Sequence, residues 1–193
     1  MNQMIRVSTI LLASLLFGSC HLPRYQANNG NVHSNTNRAA KVTLRLTSPA
    51  FKDGDNIPKQ YTCDGANSSP PLTWSGVPPA AKSLAIITDD PDAPGKAWVH
   101  WVIYDLPANS SALPEGVPRD DKLPSGGKQG MNDFNKMGYD GPCPPEGQHR
   151  YYFRIYALDS DTALNPGATR NQLLRAIDAH IIGEGELMGK YHH

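Results

Sequence analysis

Net charge is missing from this chain. Its 18 Lys and Arg balance 18 Asp and Glu. A neutral chain cannot hold a polyphosphate backbone by bulk charge, which argues against non-specific nucleic-acid binding. Charge of either sign is also sparse, at 19 % of residues against about 25 % in an average soluble domain. Long apolar runs are lacking too, so a multi-pass membrane protein is excluded. Three cysteines, at 20, 63 and 143, are too few for a disulfide-dense miniprotein. Neither Cys63 nor Cys143 has a CxxC or CxxH partner, the usual mark of a zinc site. No G-x-S-x-G nucleophile elbow and no H-E-x-x-H motif occurs. What is present is 39 % hydrophobic residues with 17 Gly and 17 Pro. That is turn-rich, short of the roughly 25–30 % Pro plus Gly that marks disorder, and it excludes a coiled coil or a collagen. One loop-rich globular domain is expected.

The first forty residues read as an address and a tether. Val7 to Phe17 is an uncharged run of 11 residues behind Arg6, where a membrane span needs about 18 or more, so residues 1–19 read as a secretory signal. Gly18-Ser19-Cys20 resembles a bacterial lipoprotein cleavage site, in which the cysteine becomes the acylated N-terminus. Phe17 departs from the usual Leu, and the alternative is an ordinary cleaved signal with a cysteine nearby. Lipid on Cys20 would meet the requirement of more than one acyl chain for stable anchoring. His21 stands where Asp would favour inner-membrane retention, so the expected place is the bacterial cell envelope, on the outer membrane. Residues 21–40 contain five Asn and no acidic residue. With no apolar period they cannot bury enough surface to order, so 20–40 is a flexible tether and 41–193 the folded domain. With Cys20 lipidated, Cys63 and Cys143 remain in an oxidising compartment and either pair or stay as buried thiols.

The folded part reads as mainly β. Val42, Leu44 and Leu46 alternate with polar residues. The stretches 83–88, 98–106 and 149–158 are dense in β-branched and aromatic residues and read as interior strands, with Pro/Gly clusters between them. Helical signal is confined to 169–181, where Leu173, Leu174, Ile177 and Ile181 share a face and Thr169 and Gln172 have capping-box spacing.

Polar residues collect at the strand ends. Asp89, Asp90 and Asp92 lie in a stiff loop with Pro91 and Pro94, and repel one another unless cations, donors or protons compensate. Alternation places Trp98, His100, Val102 and Tyr104 on one face, and His149, Tyr151 and Phe153 on another. Two histidines, a tyrosine and carboxylates are suited to an anion, because His N–H and Tyr O–H donate and a carboxylate keeps His charged.

Six motifs in order carry a wider resemblance: DGDNIPKQYTCDGANSSPPLTW (53–74), DDPDAP (89–94), WVHWVIYDLP (98–107), NDF (132–134), GYDGPCPPEGQHRYYFRIYALD (138–159) and ELMGKY (186–191). The chain resembles the phosphatidylethanolamine-binding protein family, also called Raf kinase inhibitor-like proteins, in its bacterial branch. The resemblance implies a β-sandwich-like fold, a large sheet against a smaller one with peripheral helices. It also implies a small cavity for a phosphate-like anion or phospholipid head group. Position by position it points to Asp90, Asp92, Pro94, Trp98, His100, Gly141, Pro144, His149 and Tyr151 as ligand-binding. Cys63 and Cys143 fall in loops that flank the cavity in this fold, which favours their pairing. The rim loop of Glu146, Gly147 and Gln148 is shorter than in some relatives. The family's second name implies inhibition of kinases or proteases through an unidentified protein partner. A binding protein without cofactor, metal or catalysis is the leading expectation. The alternative is a hydrolase using Asp90, His100 and His149 as acid/base groups, and a third is a metal site of His100, His149 and a carboxylate. His192 and His193 form a terminal pair with no assigned role.

Overall fold

A computed structural model describes residues 41–193. The signal segment, Cys20 and the tether fall outside the described residues. The elements run β1 (Val42–Thr43), β2 (Arg45–Thr47), β3 (Leu72–Ser75), β4 (Ser83–Asp90), β5 (Trp98–Pro107), β6 (Ala112–Leu113), β7 (Lys128–Gln129), β8 (His149–Leu158), α1 (Arg170–Ile177) and β9 (Ile181–Tyr191). Six strands form one sheet in the order β1-β9-β8-β4-β5-β7, and three form a second, β2-β3-β6. Pairing is antiparallel except between β1 and β9. The expected mainly β architecture, a large sheet on a small one with a helix near the end, is the one observed.

Two apolar layers explain the patterning. On one face of the large sheet, Ile86, Trp101, Ile103, Phe153, Ile155 and Leu187 pack with Leu46, Leu72, Trp74 and Leu113 of the small sheet. On the other, Ala85, Ile87, Val99, Val102 and Tyr104 pack with Leu173 and Ile177 of α1. All eight residues of β4 are buried, which is why that strand reads as a continuous apolar run rather than an alternation. Each such Leu or Ile contributes roughly 1.5–3 kcal/mol by leaving water.

Local chemistry sets the boundaries. Thr169 caps α1, and Gln172 returns the bond to the cap, the reciprocal pair anticipated from their spacing. The helix stops at Ile177, so Ile181 belongs to β9 rather than to the helical face. The expected strand across 42–46 is two short pieces in different sheets. Leu44 sits at the crossover and donates its N–H to Glu184 O at 2.8 Å.

The alternation assumed for β5 fails at His100. Asp89 pairs with Val99 and Thr88 with Trp101, so β5 carries one extra residue between them. This bulge shifts the pleat by one. Trp98 and His100 both meet Phe134, and Trp101 and Ile103 then face the inter-sheet core. Val102 and Tyr104 lie on the helix side with Val99. A second extra residue near Asp105, whose φ is +55°, returns the alternation to its starting parity, and Leu106 again faces the inter-sheet core.

Strand β9 was not legible as a strand. Gly183, Gly185 and Gly189 weaken its β signal, yet contact requires them. A Cβ on Gly185 would lie 2.2 Å from Leu44 O, and one on Gly189 2.4 Å from the Ile57 side chain.

Candidate functional site

The acidic loop is compensated, one carboxylate at a time, by hydrogen-bond donors from other segments. Asp89 points to the helix side and pairs with Arg154 and Arg170. Asp90 points to the other face, where its Oδ2 accepts from His149 Nδ1 at 2.7 Å. Both partners are buried, Asp90 at 3 % exposure and His149 at 8 %. Asp90 Oδ1 accepts the Asp92 N–H at 2.8 Å, which folds the loop back on the strand end. Asp92 accepts from the Arg150 backbone N–H, Nε and Nη2 at 2.9, 2.9 and 2.6 Å.

The Arg150 bonds hold the Asp92 carboxyl down at about 2, from an ordinary 3.8. The folded value is the depressed one. Its stabilisation is therefore complete above the ordinary value and is lost as pH falls through about 2. Arg150 is half exposed, so water screens the pair and about 1 kcal/mol is expected. Urea unfolding of Asp92→Asn and the parent should differ by that amount at neutral pH and converge at the acid end.

His100 is 3 % exposed. Its Nδ1 stands 2.6 Å from the Asp140 carbonyl oxygen, which can only accept, so Nδ1 carries the hydrogen. Burial pushes its pKa down, and the Asp140 carbonyl and the Asp90 charge oppose this without reversing it. The ring is neutral at pH 7, with its lone pair on Nε2. Phe134 and Tyr151 meet it edge-on, with ring centroids 5.3 and 5.2 Å away.

Tyr151 is 1 % exposed, and its hydroxyl makes no well-formed hydrogen bond, although the Asp90 carboxylate stands close enough to act on it. Burial, then the Asp90 charge, push its pKa far up, so it stays an O–H donor. A buried hydroxyl without an acceptor costs roughly 1–3 kcal/mol, and such groups are rare in native proteins. It lies beside His100 and one residue beyond the strand position opposite Asp89.

Asp140 props this arrangement. Arg119 donates two bonds to it at 2.9 and 3.0 Å, Asn132 Nδ2 one at 2.9 Å and Asn67 Nδ2 one at 3.1 Å. Burial raises its pKa, but these donors outweigh burial and the net shift is downward. Its backbone N–H binds the His100 carbonyl at 3.1 Å, so His100 is held by Asp140 at both ring and backbone. Arg119 is aimed from the neighbouring loop. Buried Gln129 donates from Nε2 to the Pro118 and Asp120 carbonyls at 2.7 Å each, clamping the residues on either side of it.

The structure thus brings together Asp90, His100, His149 and Tyr151. Trp98 joins them through Phe134, at 5.6 Å between centroids. Asp92 serves the loop, and Pro94 is exposed beyond it. Gly141 donates its N–H to Asn67 Oδ1 at 2.6 Å, and Pro144 is buried in the same segment. Cys63 and Cys143 are joined, with 5.4 Å between their Cα atoms. Missing from the anticipated residue set are Phe134, Asp140, Arg119, Asn132 and Asn67. The NDF and GYDG motifs contained three of them. Arg119 carries no signal of its own, since its role depends on Gln129 reaching across from β7.

Two alternatives meet geometry here. Among the described residues, the three-donor cluster with ligand atoms within 4.8 Å is Cys63, Cys143 and His193, not His100, His149 and a carboxylate. A hydrolase needs an activated nucleophile, whereas the Tyr151 phenol is shifted the wrong way. Ser69, buried in the serine stretch, accepts the Val117 N–H at 2.9 Å.

Comparison with known proteins agrees with the fold. A UPF0098 protein of Methanothermobacter thermautotrophicus is 54 % identical over 148 residues, covering 77 % of this chain and 98 % of the relative. The crystal structure of a phosphatidylethanolamine-binding protein homologue from Chlamydia trachomatis matches with a TM-score of 0.73 and 45 % identity, over 78 % of this chain and 98 % of that one. YbcL of E. coli, described as a member of the mammalian PEBP family, matches with a TM-score of 0.73 and 35 % identity over the same shares. The sequence profile of the phosphatidylethanolamine-binding protein family spans residues 47–192, and with the two-sheet fold beneath it this chain belongs to that family.

Proposed function

We propose that this protein binds a phosphate-type anion, free or as a phospholipid head group, between Asp90, His100, His149 and Tyr151. The observation that carries the reading is the buried Tyr151 hydroxyl, which makes no well-formed hydrogen bond to an acceptor within the protein even with the Asp90 carboxylate close by. An anionic oxygen supplies that acceptor. His149, whose Nδ1 donates to Asp90 Oδ2 at 2.7 Å, brings a second imidazole to the same place. Family membership supports the same class of ligand. Lipid on Cys20 would keep the domain at the envelope membrane, where such head groups are found.

The test is an NMR titration of the purified protein with inorganic phosphate, phosphoethanolamine and phosphatidylethanolamine vesicles. Saturable shifts at Asp90, His100 and His149 are expected, lost in His100→Ala and His149→Ala. Tyr151→Phe separates binding from folding. It removes an unpartnered hydroxyl, so stability is kept or slightly raised. A hydrogen bond to a charged group is worth roughly 1.5–3 kcal/mol, so phosphate affinity falls by one to two orders of magnitude. Absence of any shift with millimolar phosphate, phosphoethanolamine and the vesicles alike, in the folded protein, would sink the proposal. Response to vesicles alone would assign the site to the intact lipid.

A further inference from the structure

The terminal histidine pair has a neighbour that spacing did not suggest. Cys63 Sγ, Cys143 Sγ and a ring nitrogen of His193 lie within 4.8 Å of one another, and all three residues are exposed. They come from three separate parts of the chain. Cys63 is fixed by its N–H to the Pro142 carbonyl at 3.0 Å. His193 follows β9, whose last residue, Tyr191, pairs with His149. The Tyr191 hydroxyl binds Asp64 Oδ2 at 2.6 Å, and His193 Nδ1 lies 2.9 Å from the same oxygen. A carboxylate accepts, so His193 Nδ1 carries the hydrogen and Nε2 the lone pair. A carboxylate orienting an imidazole whose other nitrogen is free to ligate is the recurring support of a protein-bound zinc ion.

While the sulfurs are bonded to each other they are uncharged and poor ligands, because the thiolate is the metal-binding form. A dithiol reductant changes that. It delivers two electrons and two protons to the Cys63–Cys143 bond, leaving two thiols and the reductant's own cyclic disulfide. A divalent cation then displaces both thiol protons. The Cα separation of 5.4 Å suits two thiolates on one tetrahedral ion, with Zn–S near 2.3 Å.

We propose that Cys63, Cys143 and His193, with Asp64 orienting the imidazole, form a site for a zinc-class divalent cation that opens when the disulfide is reduced. Three protein ligands leave one position for water or another ligand. The ion would join the Cys63 turn, the 141–148 segment and the end of β9, where the disulfide joins only the first two. The proposal does not depend on the anion reading.

The test uses the full chain carrying Cys20→Ser, so that two cysteines remain. The chain is reduced with a dithiol, the dithiol is removed anaerobically, and cobalt(II) is titrated as a spectroscopic stand-in for zinc. One equivalent is expected to bind with thiolate-to-cobalt charge-transfer and tetrahedral d–d bands, and none to the oxidised chain. His193→Ala, at an exposed terminus, should weaken binding at least tenfold, and Asp64→Asn by roughly 10–100-fold. Uptake no greater than in a Cys63→Ser/Cys143→Ser chain would overturn the site, as would thiolate bands indifferent to His193→Ala. Should reduction collapse the NMR dispersion, its return with one equivalent of zinc supports the site, and its failure to return refutes it.

Discussion

Replacing Gly141 by alanine is expected to cost about 3 kcal/mol, the upper end for overpacking a close contact. A Cβ there would stand 2.2 Å from the Tyr61 carbonyl oxygen, 2.8 Å from Thr62 Cα and 3.0 Å from Asn67 Oδ1. The first two are backbone atoms, so no rotamer change relieves the clash. The segment must retreat, and with it go the Gly141–Asn67 bond and the Asp140 carbonyl that fixes His100. Thermal unfolding should show a midpoint lower by roughly 6–12 °C, at about 2–4 °C per kcal/mol for a chain of this size. Phosphate affinity should fall with it. A loss below about 1 kcal/mol would mean that the loop yields and that Gly141 is not setting this spacing.

Reduction, or the double change Cys63→Ser/Cys143→Ser, is expected to cost about 4 kcal/mol. The cysteines are 80 residues apart, and closing a loop of that length in the unfolded chain is worth about 4.5 kcal/mol by the chain-entropy estimate. Urea unfolding is the measurement. The midpoint should fall, and the slope should rise because the unlinked chain exposes more surface when unfolded. An unchanged midpoint would contradict the estimate and confine the bond's effect to the local rim. Against a typical total of about 5–15 kcal/mol, such a loss would leave the reduced domain marginal. The zinc titration therefore needs its native-dispersion readout.

What was readable beforehand followed from how local the cause was. Strands β4 and β5 announce themselves because both of their faces are largely buried, so β-branched and aromatic residues run on, and β8 because its buried face of Tyr151, Phe153 and Ile155 alternates with a half-buried one. Helix α1 is announced by two residues three apart. Strand β9 is not, because its glycines answer to Leu44 and Ile57, far away in sequence. The split of β1 from β2 was equally hidden, since alternation says nothing about a strand changing sheets. At the site, Asp90, His100, His149 and Tyr151 were recoverable as motif members. The compensation of the acidic loop was not, because the partners of Asp90 and Asp92 lie 59 and 58 residues on. Asp140 with Arg119 was the least accessible, being assembled through a third residue, Gln129, whose own bonds go to Trp101, Pro118 and Asp120.

The bulge in β5 makes His100 an insertion in the literal sense. Without it, Trp98, Val99 and Trp101 would continue in strict alternation opposite Asp90, Asp89 and Thr88. Every core side chain downstream would keep its present side. A chain lacking it retains a complete pleat, and one possessing it gains a ring beside Phe134 and Tyr151 without redirecting any neighbour. Scaffold and candidate site are thus written in separate residues of the same strand.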